Sequence, residues 1–190
     1  MKELVILGGP NGAGKTTAAQ VVVPRKLSIP EFINVDEIAR GLSPFNPDGA
    51  AVAAGRLMLK RMRTLASGQQ SFAIETTCSG KGHLKFLQSC RNRGWRITLV
   101  FLWLPSPEMA IARVERRVSA GGHGVPSDVI VRRYWAGLRN MRAFYLPLAD
   151  VAAIYDNAGE EPVLIAERVP KSDLVVYDGA RWHQIEKASP

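Results

Sequence analysis

Gly8-Gly9-Pro10-Asn11-Gly12-Ala13-Gly14-Lys15-Thr16-Thr17 decides how the rest of the chain is read. From Gly9 to Thr16 its spacing is G-x-x-x-x-G-K-T, the signature of a phosphate-binding loop. The setting turns the pattern into a site. Leu4-Val5-Ile6-Leu7 precedes it as a predicted buried strand, and Thr16-Thr17-Ala18-Ala19-Gln20-Val21-Val22 follows as a predicted helix that ends by Pro24. The glycines let the backbone curl so that successive N–H groups point inward. With the helix N-terminus behind them, these donors suit the oxygens of a polyphosphate. Lys15 is placed to reach β- and γ-phosphates, and Thr16 to offer its hydroxyl to Mg²⁺.

Working outward, helices and strands alternate as in a parallel sheet covered on both faces. Glu31-Phe32-Ile33-Asn34-Val35 reads as a second strand ending at Asp36, with a brief helix after it that Gly41 closes. A long helix is predicted from about Pro47 to Ser67. Ser71-Phe72-Ala73-Ile74 is a third strand, ending at Glu75-Thr76-Thr77. A helix over Gly82–Arg93 leads to a strongly apolar fourth strand at Trp95–Leu104. Pro107 opens another helix, and Ser127 caps one that runs to about Tyr145. Val151–Tyr155 is a fifth strand. Pro162–Val169 and Leu174–Tyr177 are late strands, with Asp178-Gly179 read as a hairpin turn. The expected fold class is α/β: a P-loop NTPase, with a mostly parallel central sheet in a three-layer sandwich. One domain is expected over 1–190, with a small helical lid at about 113–133 and a short β hairpin at about 162–187.

Composition narrows the function classes. The 190 residues carry a net charge of +8, spread in pairs such as Arg116-Arg117 and Arg132-Arg133 rather than in a long run. No aromatic-interleaved RNA-binding motif accompanies them, so small anionic ligands are favoured over nucleic acid. The longest apolar run, Ile97–Leu104, is too short to span a membrane. Without a basic leader or cleavage site, the expected location is the cytoplasm. Cys78 and Cys90 lack metal or redox spacing and read as unpaired thiols. His123 lies between glycines and reads as a loop histidine. Leu65-Ala66-Ser67-Gly68-Gln69-Gln70 faintly resembles the signature segment of transporter ATPases, but it reads as a helix end.

Ligands of open α/β sheets bind at the carboxyl ends of the strands. Asp36 stands there, and a carboxylate facing a γ-phosphate suits a general base toward an attacking hydroxyl. Its alternative role is to cap the helix that follows. Glu75 has two readings, orienting Mg²⁺ through water or binding acceptor hydroxyls, and Thr77 has a hydroxyl for either ligand. In the segment from Arg113 to Arg133, two helices flank a glycine-rich loop, the pattern of a lid. Arg117 on one side and Arg132 or Arg133 on the other are candidates to neutralise a migrating phosphoryl group, against the alternative of solvated helix faces. Asn157 lies where a nucleotide base emerges and is a candidate reader of adenine.

The ordered set of Gly8–Thr17, Asn34-Val35-Asp36, Phe72-Ala73-Ile74-Glu75-Thr76-Thr77, Gly121-Gly122-His123-Gly124-Val125-Pro126 with Arg132-Arg133-Tyr134, and Tyr155-Asp156-Asn157 resembles the zeta-toxin family. It is closest to the short branch also labelled predicted ABC-type ATPases, and the likeness covers residues 1 to about 170. The resemblance implies a nucleoside-kinase-like fold and the use of ATP with Mg²⁺. It also implies phosphorylation of a hydroxyl on a UDP-sugar such as UDP-N-acetylglucosamine, and a separate antitoxin protein as partner. By motif, Lys15 holds phosphate, Asp36 is the base, Glu75 and Thr77 face the sugar nucleotide, and Arg117 and Arg133 neutralise the transferred group. The chain is shorter than the long toxins, and Ser79 stands where a basic substrate contact is expected. A polynucleotide or nucleoside kinase, or a non-catalytic ATP-dependent switch, is the alternative reading.

Overall fold

A computed structural model describes residues 1–19, 29–122 and 124–188. The element order is β1 (Glu3–Gly8), α1 beginning at residues 15–19, β2 (Glu31–Ile33), α2 (Val35–Leu42), α3 (Ala51–Ser67), β3 (Phe72–Thr76) and α4 (Leu84–Asn92). Then follow β4 (Arg96–Trp103), α5 (Pro107–Ser119), α6 (Ser127–Asn140), a π-helical turn (Met141–Tyr145), α7 (Leu146–Leu148), β5 (Val151–Asp156), β6 (Val163–Arg168), β7 (Val175–Val176) and α8 (Gly179–Lys187). The predicted end of the first helix at Pro24, and His123, lie outside the described residues.

The strands form one sheet in the order β2-β3-β1-β4-β5-β6-β7. The strands from β2 across to β5 run parallel, and β6 and β7 are antiparallel additions. β1 lies between β3 and β4, and Leu4, Val5, Ile6 and Leu7 are all fully buried. The period of two sends them to opposite faces. Leu4 and Ile6 pack into the large core that holds Met58, Met62 and Leu65 of α3, while Val5 and Leu7 pack with Ala19, Ile29 and Ala73. A central strand buried on both faces explains the unbroken apolar run, because no position faces water. This is the α/β sandwich that the alternation of elements implied.

Several boundaries differ from expectation. α3 starts at Ala51, because residues 47–50 are spent in hydrogen-bonded turns, Ala50 N to Pro47 O and Ala51 N to Asp48 O. It stops at Ser67, so Ser67-Gly68 is the helix end the sequence suggested. The long helix expected to reach Tyr145 passes into the π-helical turn after Asn140. The C-terminal expectation is corrected: β6 and β7 do pair antiparallel, but Asp178-Gly179 does not turn a hairpin. Asp178 caps α8, accepting from Arg181 N at 2.9 Å, and residues 179–187 are helical. Asp suits both a turn and an N-cap, and the helix that follows decides between them. Cys78 and Cys90 are free and buried. No helix among the described residues is long and apolar enough to cross a membrane.

Candidate active site

The loop after β1 has the geometry its glycines require. Gly9 sits at φ +145°, and a Cβ there would lie 2.3 Å from Leu102 O of β4, so neither the conformation nor the space admits a side chain. Gly8, Gly9, Pro10, Ala13 and Lys15 are buried, and Gly12, Gly14 and Thr16 are half-buried. Thr17 is exposed, outside the cleft lining. Lys15 leans over the loop and donates to Pro10 O at 2.8 Å. Burial pushes its pKa down, while Glu75 and Asp36 oppose the shift by favouring the charged form.

Glu75 ends up beside the loop because β3 is hydrogen-bonded to β1 with Leu7 opposite Glu75. Thr16 Oγ1 donates to Glu75 Oε2 at 2.8 Å, and Lys15 Nζ lies 3.8 Å from Oε1. Burial raises the Glu75 pKa, with Lys15 and the Thr16 hydroxyl pulling it back. Glu75 thus borders both the phosphate-binding loop and the open cleft. A hydroxyl and one carboxylate offer hard oxygen donors that suit Mg²⁺, which keeps several waters and takes phosphate oxygens as well. No group of three or more His, Cys, Asp or Glu able to cage a metal occurs among the described residues.

Asn34, quoted above only as part of a motif, proves to be a structural hinge-pin. It caps α2, its Oδ1 accepting from Asp36 N at 2.8 Å and Glu37 N at 3.4 Å, while Nδ2 donates to Glu75 Oε2 at 2.9 Å. The capping role considered for Asp36 is therefore filled by Asn34. Asp36 sits inside the first turn of α2 with an exposed side chain. An Asn just before a helix with acidic residues in its first turn is a sequence signature of the N-cap, and it could have marked this residue.

Lys15, Thr16, Asp36, Glu75, Thr77, Arg117 and Arg133 all line one cleft of about 250 Å³. Ser79, and His83, which sequence reasoning passed over, line the same cleft. Thr77 shares a 2.8 Å hydroxyl–hydroxyl contact with Ser79. Arg132 and Arg133 are separated by geometry. Arg133 faces this cleft, whereas Arg132 faces only a neighbouring cavity of about 460 Å³ between α2, the start of α3 and the start of α6. The two spaces share Val35, Asp36, Arg40 and Arg133. Arg113 belongs to neither. It donates to Asn157 O and Ala158 O at 2.8 Å each, strapping α5 to the end of β5.

Asn157 is turned toward the phosphate-binding loop. Its Nδ2 donates to Ala13 O at 2.8 Å, and it is absent from the cleft lining. The amide steadies the phosphate-binding loop from behind, because β5 ends directly against it.

The molecule has known likenesses. A family model described as an AAA domain matches residues 4–143. An uncharacterized protein of Haemophilus influenzae is 28% identical over 126 residues, covering 66% of this chain and 88% of its own. The AvrRxo1-ORF1:AvrRxo1-ORF2 complex with sulfate ions superposes at a TM-score of 0.80 and 17% identity, over 100% of this chain. The present chain spans only 64% of the length of that structure's chain. The same complex with ATP gives 0.73 at 17% identity, over 100% and 64% of the two chains. The PezAT chromosomal toxin–antitoxin system of Streptococcus pneumoniae gives 0.66 at 16% identity, over 99% of this chain and 84% of that one. At these identities the structural likeness is one of fold, and it agrees with the zeta-toxin resemblance of the motifs. With residues 4–143 matched, the chain belongs to the AAA domain family.

Proposed function

We propose that the protein is an ATP-dependent kinase that moves the γ-phosphate of ATP onto a hydroxyl of a small anionic acceptor. The leading acceptor class is a UDP-sugar such as UDP-N-acetylglucosamine. One observation carries this reading: Asp36, Arg117 and Arg133 share a single cleft with Lys15, Thr16 and Glu75. A general base, phosphate-binding cations and metal-facing oxygens in one small space suit phosphoryl transfer to an alcohol.

In this reading Asp36 takes the proton from the acceptor hydroxyl as its oxygen bonds to the γ-phosphorus. The bond from that phosphorus to the bridging oxygen breaks, and ADP leaves. Lys15 leaves its resting bond with Pro10 O to hold phosphate oxygens. Arg117 and Arg133 close on the lid helices to balance the charge and exclude water. Thr16 and Glu75 would hold Mg²⁺, which would neutralise phosphate charge there. The acceptor extends past Asp36 into the 460 Å³ cavity, where Arg40 and Arg132 meet its anionic part and Val125, Pro126 and Val129 its apolar face. A cytoplasmic location and a separate antitoxin protein belong to the same reading, supported by the toxin–antitoxin system among the structural likenesses.

The test incubates the protein with γ-labelled ATP and UDP-sugars, nucleosides, neutral sugars and oligonucleotides. Label moves onto a UDP-sugar; Lys15→Ala and Asp36→Asn abolish transfer, and Asp36→Asn keeps ATP binding. Full turnover by Asp36→Asn, or label confined to oligonucleotides, overturns the reading.

A further inference from the structure

Behind the Thr77–Gly82 loop, on the side away from the cleft, lies a separate cavity of about 520 Å³. Lys81, Arg139, Asn140, Arg142, Phe144 and Trp182 line it, and no carboxylate does. Arg142 is paired with Glu186 of α8 at 3.4 Å. Among the described residues, Lys81 and Arg139 make no ion pair, and Lys81 Nζ stands 4.4 Å from the centroid of the Phe144 ring. With Lys81 covering the Phe144 ring, the cavity offers two cations to an anion and the Trp182 side chain to a planar ring, the combination that holds a phosphate and a stacked base together.

A second observation marks the place. Arg142 and Phe144 are displayed by the π-helical turn Met141–Tyr145, an irregularity frequent at functional sites. The same turn and its flank grip the cleft loop: Asn140 Nδ2 donates to Cys78 O at 3.0 Å and to Ser79 O at 2.9 Å, and Tyr145 Oη donates to Gly80 O at 2.9 Å. Gly80 and Gly82 line the cleft while Lys81 between them lines the cavity. One loop therefore forms a wall of both spaces.

We propose that this cavity is a second nucleotide site, separate from the phosphate-binding loop. Its phosphate rests on Lys81 and Arg139 and its base stacks on Trp182. Its occupancy is transmitted to the cleft through Asn140, Tyr145 and residues 78–80. The site stands apart from the kinase reading, because binding is read without transfer of phosphate.

The experiment first fills the phosphate-binding loop with a non-hydrolysable ATP analogue and Mg²⁺. Calorimetry then titrates AMP, GMP, CMP, UMP, their nucleosides and inorganic phosphate. At least one nucleotide binds one-to-one, tighter than its nucleoside and tighter than phosphate. Binding weakens at least tenfold in Arg139→Glu, Lys81→Ala and Trp182→Leu, while affinity for the ATP analogue stays within twofold. Arg139 and Lys81 are exposed, so their variants keep the test valid if Trp182→Leu unfolds α8. Absence of nucleotide binding, binding that survives Arg139→Glu and Lys81→Ala, or phosphate binding as tight as the nucleotides overturns the proposal.

Discussion

Thr16 Oγ1 and Glu75 Oε2 meet at 2.8 Å, joining the end of the phosphate-binding loop to the end of the neighbouring strand. The same carboxylate oxygen accepts from Asn34 at 2.9 Å. One side chain thereby fixes the loop, the third strand and the start of α2, which carries Asp36. Glu75 is more than a ligand candidate, because it ties the phosphate-binding loop to the cap of α2.

Glu75→Gln tests this directly. The amide keeps the shape but removes the charge that opposes Lys15 and suits a metal. The expected outcome is a loss of about 10²-fold or more in kcat for label transfer to UDP-N-acetylglucosamine, the scale of losing one preorganised electrostatic contact. The Mg²⁺ concentration for half-maximal rate rises as well. An unchanged Mg²⁺ dependence counts against the metal-facing role.

Asn34→Ala separates positioning from chemistry. It removes the α2 cap, which costs about 1 kcal/mol, and it leaves Glu75 with one donor fewer. Urea unfolding should show a drop of about 1–2 kcal/mol. ATP-analogue affinity should change little, while kcat for transfer falls because Asp36 is no longer held at the helix start. A fall in kcat without any fall in stability points instead to direct contact with a substrate.

The sequence made some of this legible and concealed the rest for physical reasons. The phosphate-binding loop and β1 were readable because glycine spacing and an unbroken apolar run each admit few conformations. Asp36 was readable as a cleft residue because ligands of such sheets bind just past the carboxyl ends of the parallel strands, although it proves to sit in the first turn of α2 rather than at the strand end. The roles of Arg132 and Arg133 were not separable, since adjacent helical residues point about 100° apart and only the rotation of α6 against the sheet assigns each to a cavity. Asn157 looked free because its partner, Ala13 O, is 144 positions away along the chain. Asp178 misled because turn and cap ask for the same residue.

That rotation yields a kinetic prediction. Arg133→Ala removes a cation from the cleft that holds Lys15, so kcat for label transfer should fall about 10²-fold or more. Arg132→Ala acts in the adjoining cavity and should raise KM for UDP-N-acetylglucosamine with kcat nearly kept. The pair should therefore split kcat from KM, and identical effects from both would contradict the two-cavity assignment.

Gly137→Ala probes the wall shared by α6 and the cleft. A Cβ at Gly137 would lie 2.5 Å from Thr77 O, a backbone atom that has no rotamer to escape into. Overpacking of this kind costs about 1–3 kcal/mol. The strain should shift Thr77 and Ser79, raising acceptor KM more than ATP KM. A variant with parent-like stability and kinetics would show that α6 rides freely against the loop.

Cys78 offers a readout of how tightly that wall is closed. It is fully buried, and burial pushes its thiol pKa up to about 12, with Lys15 and a backbone hydrogen bond from Gly9 only partly opposing the shift. The reactive species is the thiolate, so at pH 8 the native protein should resist iodoacetamide at Cys78, and denatured protein should be alkylated at both cysteines. Because Asn140 Nδ2 holds Cys78 O at 3.0 Å, Asn140→Ala should loosen the loop and speed alkylation at Cys78 selectively. Peptide mass mapping after a timed pulse distinguishes the two sites. Equal labelling of Cys78 and Cys90 in native Asn140→Ala protein would indicate general unfolding rather than local opening of the loop.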